Sequence, residues 1–205
     1  YTFLSKDENP NRKKLLFSLA LKDAKDLKAS VLEDHLDCEQ GDLPEEIFRK
    51  DLLCPRIFLE ELTPYRSMIR GFFEEETKRS FAEQPERILD YLKKNITFHP
   101  EEEYDTIMAT PVGVLTMKQG SPLAQKILFV AICRSLNVAA RLNPVTLEPE
   151  YYHNGAFHSV ETEAAVLEEE TESAVLALNA EDGSVWKYYQ TWTIGKWNGT
   201  VFETL

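Results

Sequence analysis

Few side chains in this sequence are equipped for nucleophilic or acid–base chemistry. There are three cysteines, Cys38, Cys54 and Cys133, and four histidines, His35, His99, His153 and His158. A thiol or hydroxyl nucleophile needs a neighbouring base, and the base needs a group that orients it. The cysteine spacing fits neither a zinc site nor a redox pair, and an odd count cannot be fully bridged. A chain of 205 residues can build its core without disulfides. Cys133 ends an apolar run over 127–133 and reads as a core thiol. His35 and His99 sit beside acidic or turn residues and show no ligand spacing. His153 and His158 flank Asn154-Gly155, the strongest short hairpin signal, and read as solvated hairpin residues. Ser121 stands directly before Pro122, an arrangement that suits a helix N-cap followed by a first-turn proline. The acidic run over 168–172 lacks the Asp/Asn/Gly spacing of a calcium loop. The expectation is therefore no metal and no cofactor.

The elements that would position these groups change character along the chain. Apolar residues from Leu15 to Leu36 fall near helical spacing, so a helical stretch is expected over 11–36, with a break at Gly41-Asp42. Leu43-Pro44-Glu45 opens a short helical segment. Thr63-Pro64-Tyr65 precedes a longer one bearing Met68, Ile69, Phe72 and Phe73. A further helix is expected over 80–94, with Ile88, Leu89, Tyr91 and Leu92 on its buried side. The stretch 121–137 is apolar nearly all round, which marks a helix enclosed by other layers. Asn137 suits the left-handed residue that ends it. Beyond it, strands are expected over 138–145, 150–160, 173–178, 185–194 and 201–205, the last after an Asn198-Gly199 turn. A helical front and an antiparallel back give an α+β fold in which the central helix packs on the sheet. Two parts are expected: a helical extension over 1–100 and a core over 101–205.

Charge narrows the partners. The net charge is -12, yet residues 1–28 carry seven Lys/Arg against four Asp/Glu. Between Arg141 and Lys187 there are ten acidic residues and no basic one. A phosphate backbone or an anionic membrane surface wants the opposite sign, so no nucleic acid is expected as a partner. The longest apolar run, 127–133, is far short of the roughly 20 residues a spanning helix needs, so no membrane insertion is expected. The chain starts at Tyr1 and stops within an expected strand, which suggests a piece of a longer protein.

The segment from Gly120 to Arg141 carries a family likeness. Its Gly120, Phe129-Val130-Ala131, Arg134-Ser135-Leu136, Asn137-Val138-Ala139 and Ala140-Arg141 resemble the signature of the transglutaminase-like superfamily, which has a papain-like core. Downstream, Asn154-Gly155-Ala156-Phe157-His158-Ser159-Val160-Glu161 resembles the family's Gly-x-Trp-x-x-Val-Asp hairpin. Thr110-Pro111-Val112-Gly113-Val114, Arg141-Leu142-Asn143-Pro144-Val145-Thr146 and Trp192-Thr193-Ile194 are similar to large multidomain bacterial members. The resemblance implies a Cys-His-Asp triad with the Cys at the start of the central helix. By that count the triad positions fall on Pro122, Thr146 and Glu161. The nucleophile and the base are both replaced. The remaining candidates for a cleft are Ser121, His153, His158 and Glu161.

The expectation is a degenerate, non-catalytic domain that binds a peptide or glycan, or scaffolds neighbouring domains of the same bacterial chain. The resemblance also implies an exported or cell-envelope protein. Trp186, Tyr188 and Trp192 are candidates for a binding platform, because aromatics two apart share a strand face. The alternative is an active acyl-transfer enzyme, transglutaminase- or protease-like, with an unconventional nucleophile.

Overall fold

A computed structural model describes residues 9–99 and 109–160, together with the backbone of 195–197 and 202–204. The chain divides into two compact units, residues 1–165 and residues 166–205. The expected strands over 173–178 and 185–194 lie outside the described residues.

The first unit begins with three short helices, α1 (Asn11–Ser18), α2 (Leu21–Asp26) and α3 (Ala29–His35). The sequence predicts one continuous helical stretch here, and the structure corrects it. Leu19 and Leu27 take extended backbone at the two breaks. A straight helix over these residues would be about 39 Å long and could not bring all its leucines to one small core. Folded into three, it buries Leu15, Leu32 and Leu36 against Phe48, Leu52 and Leu53, with Leu19 and Leu27 packed at the margin. Those aromatic and leucine partners come from the π-helical turn Phe48–Leu53, which continues the short α4 (Glu45–Ile47).

Next come α5 (Arg66–Phe72), α6 (Glu75–Glu83), α7 (Glu86–Asn95), α8 (Pro111–Met117) and α9 (Pro122–Ser135). The helix expected over 80–94 is two helices separated at Gln84-Pro85. Pro85 donates no backbone hydrogen bond to the preceding turn and stands instead at the N-terminus of α7. The corner lets Phe81 from α6 and Ile88 and Leu92 from α7 enter the same core. On α5, Ile69 is buried, but Met68 and Phe72 face outward at 55% and 45% exposure.

Helix α9 is the axis of this core. Residues 127–132 are fully buried, and α5, α7, α8 and the sheet pack around it. Asn137 follows in the left-handed region at φ 64°, where its side chain accepts from Glu39 N and donates to Glu39 O. The sheet is an antiparallel meander of β1 (Ala140–Leu142), β2 (Pro149–His153) and β3 (Ala156–Ser159). Ala140 pairs with Tyr151, and Tyr151 with His158. Asn154 and Gly155 both have positive φ, 49° and 85°, as a two-residue hairpin turn of the first primed type requires. The architecture is α+β, with the central helix on an antiparallel sheet.

In the second unit, β4 (Gly195–Trp197) and β5 (Phe202–Thr204) pair antiparallel, with Trp197 opposite Phe202. These strands bracket the Asn198-Gly199 pair, where a turn is expected.

Candidate functional site

The natural place for a nucleophile is the first turn of α9, where backbone N–H groups and the helix dipole favour negative charge. The approach to that turn is held by Gly120, whose N–H donates to Thr97 O at 3.1 Å. A Cβ on Gly120 would stand 2.9 Å from Val114 Cγ1, so the loop passes α8 only because glycine has none. Ser121 Oγ accepts from Ala124 N at 3.2 Å and is committed as the N-cap. Pro122, which the sequence likeness aligned with a nucleophile, is exposed and offers no nucleophilic atom. Thr146 is also exposed, and its Oγ1 accepts from Glu148 N inside a turn closed by Asn143.

The two candidate histidines do not meet this turn. Glu148 pairs with Lys126 near the start of α9, at 2.6 Å, and β2 follows directly. Tyr152 N then donates to Ala139 O, past the helix's C-terminal end. β2 thus runs along α9 and carries His153 to the opposite end, and the 14-residue helix is about 20 Å long. His153 and His158 are both exposed. His158 lies over Tyr151 at 5.6 Å between ring centroids, with Nε2 3.1 Å from His153 O. Glu161, Trp186, Tyr188 and Trp192 lie outside the described residues.

The cysteines are no better placed. Cys133 is buried in α9, and burial pushes its thiol far above the ordinary range. Cys54 Sγ donates to Ser18 O at 3.5 Å. Cys38 is half-buried, and burial raises its thiol too; its Sγ donates to the backbone oxygen of His35, not to the ring. Among the described residues, no serine or cysteine side chain is hydrogen-bonded to a histidine ring. Among them, too, no three His, Cys, Asp or Glu side chains converge to hold a metal ion, and no helix is long and apolar enough to cross a membrane.

A cleft of about 500 Å³ does open at the far end of α9. Gln40 to Leu43 form one wall, and residues of the α6–α7 corner, Val138-Ala139 and Tyr151 to His153 form the other. Tyr151 donates its hydroxyl to Glu86 Oε1. Burial and that carboxylate push the phenol up to about 12.

Two buried arginines are the polar residues that sequence patterning undervalued. Arg134 donates to Cys54 O at 2.7 Å, Arg56 O at 2.9 Å and Ala140 O at 2.9 Å. Arg66 donates through Nε to His35 Nδ1 at 3.1 Å and through Nη2 to Leu52 O. Glu150, also buried, accepts from Arg141 Nε and from Asn143 Nδ2. Arg134 was marked by its place directly after the apolar run over 127–133 and, with Arg141, by the family likeness; Arg66 and Glu150 carried no signal.

An apolar central helix, N-capped by a serine and laid on an antiparallel meander, defines an α+β domain. Residues 66–163, just under half of the chain, match the family model of the transglutaminase-like superfamily, and this stretch is a transglutaminase-like domain. No curated protein and no solved structure matches the chain.

Proposed function

We propose that this transglutaminase-like domain is non-catalytic and serves as a binding or scaffolding module within a larger bacterial protein. A peptide or glycan is its ligand class, and neighbouring domains of the same chain are its other partners. In this reading residues 1–100 form a helical extension of the core over 101–205. The reading rests on the start of α9, where Pro122 stands at the position the family likeness assigns to the nucleophile and Ser121 Oγ is held by Ala124 N. Cysteine chemistry at that turn needs a thiolate and an imidazole within about 3 Å of it. His153 and His158 stand at the other end of the helix, while the exposed His99 follows two residues after Thr97, whose backbone pairs with Lys118 and Gly120 at the approach to this turn. The test is labelling of the protein with thiol- and serine-directed electrophiles. Slow, unselective modification of accessible thiols is the expected result. Stoichiometric labelling of one native residue, abolished by His99→Ala, His153→Ala or His158→Ala, overturns the proposal.

A further inference from the structure

The helices of residues 9–53 and the transglutaminase-like core meet across an unusual joint. The helical part buries its own apolar cluster, to which the sheet side contributes only Ala139 and, at the margin, Tyr152. The rest of the joint is polar. Arg66 of α5 reaches His35 of α3 and Leu52 O of the π turn. Asp34 accepts from the N–H groups of Arg66 and Ser67 at 2.8 and 3.0 Å. Asp37 pairs with Arg70 at 2.7 Å, Arg134 binds the carbonyls of Cys54 and Arg56, and Asn137 clasps Glu39.

His35 sits at the centre of this joint with no exposed surface. Because Arg66 Nε donates to its Nδ1, that nitrogen must be unprotonated. A proton there would set one N–H against another. The groups that face the ring offer the imidazolium no compensation. Arg66, Arg70 and Arg134 are all cationic, and Tyr65 stands perpendicular to the imidazole at 4.6 Å between ring centroids, a neutral phenol pushed up to about 12. Cys38 nearby is held as a neutral thiol by burial. The two carboxylates of the joint are already engaged, Asp34 with backbone N–H groups and Asp37 with Arg70.

We propose that His35 is a pH-operated latch: a proton on Nδ1 breaks the Arg66 contact and releases the helices of residues 9–53 from the core. The core, with its separate apolar cluster around α9, stays folded. The cleft of about 500 Å³ has Gln40 to Leu43 as one wall, so the release opens it. This holds whether or not the domain is catalytic. Burial and the three arginines hold the docked His35 well below the ordinary histidine range, whereas the undocked residue titrates near 6.5.

Hydrogen exchange on the whole chain tests the latch, comparing wild type with His35→Asn and His35→Gln at pH 7.5 and 5.5. Both amides keep an acceptor for Arg66 and cannot take a proton. In wild type, protection of α3 and of the π turn should fall about tenfold between these pH values, the ratio expected from an undocked pKa near 6.5, while α9 is unchanged. In both variants the change should stay below about twofold. Equal losses in wild type and variants overturn the latch, as does α9 losing protection in step with α3. Should neither variant fold, the His35 ring is followed by NMR in wild type. Its protonation must coincide with loss of α3 protection, and protonation without that loss, or that loss without protonation, overturns the proposal.

Discussion

Arg134 offers the sharpest test of how the core is held, because its side chain replaces a carboxylate partner with backbone oxygens. Three carbonyls, those of Cys54, Arg56 and Ala140, accept from it at 2.7 to 2.9 Å. Arg134→Met keeps the aliphatic stem and removes every donor. A buried carbonyl left without a partner costs about 1–3 kcal/mol, and relaxation recovers part of that when three are close together. The expected loss is about 3–5 kcal/mol, against a total stability of about 5–15 kcal/mol for a domain. Arg134→Lys keeps the charge but offers one ammonium where a planar fork reaches four carbonyls, that of Lys50 at 3.4 Å being the fourth. It should recover less than half of the loss. Urea unfolding followed by tryptophan fluorescence measures both variants, with the slope checked for two-state behaviour. If Arg134→Met loses less than about 1 kcal/mol, the carbonyls are being satisfied some other way and the reasoning fails. If Arg134→Lys matches wild type, charge rather than fork geometry is what the site needs.

Pro122→Cys places a thiol at the start of α9. It should give no transamidation or peptide hydrolysis above background, and its alkylation rate should be unchanged by His99→Ala, His153→Ala or His158→Ala. Gly120→Ala should cost about 1–3 kcal/mol in urea unfolding, because its Cβ would meet Val114 Cγ1 at 2.9 Å and α8 would have to shift. Tyr65 and Tyr151, both pushed up to about 12, should remain protonated through pH 11 in ultraviolet titration. Both bind a proton more tightly folded than unfolded, so their contribution to stability is complete below pH 10 and is lost as pH rises toward 12. Tyr65→Phe and Tyr151→Phe should each leave the titration amplitude up to pH 11 unchanged. A loss of one tyrosine's amplitude in either variant would contradict the assigned environment.

What could be read from the sequence follows the range of the forces involved. Helix α9 was legible because its N-cap, first-turn proline and left-handed Asn137 are local, and its all-round apolar composition has one structural solution. The Asn154-Gly155 hairpin was legible for the same reason. The breaks at Leu19, Leu27 and Pro85 were not. Periodicity records which residues are apolar, whereas the folding back of α1 to α3 is dictated by the distant partners Phe48, Leu52 and Leu53. At the site, the absence of a nucleophile at position 122 was plain in the residue itself. The separation of Ser121 from His153 and His158 depends on the direction in which β2 runs along α9, which no spacing encodes. The Arg66–His35 contact joins residues 31 positions apart through side chains that each looked unremarkable.

The residues that carry the sequence likeness in this chain share a structural property. Gly120 makes room beside Val114, Arg134 binds carbonyls, and Asn137 turns the chain and clasps Glu39. Arg141 pairs with Glu150 and lies 3.6 Å from the centre of the Phe157 ring. Each of these does packing work that the fold needs with or without a reaction. Position 122 does no such work, since a helix start tolerates any residue that accepts helical φ and needs no donor. Proline meets both conditions at the first helical position, where its fixed φ favours the helix and its missing N–H leaves nothing unpaired. Substitution at Pro122 should therefore be structurally cheap, whereas replacing Gly120 or Arg134 should not, because each of those is tied to a specific neighbour that has nothing to take its place.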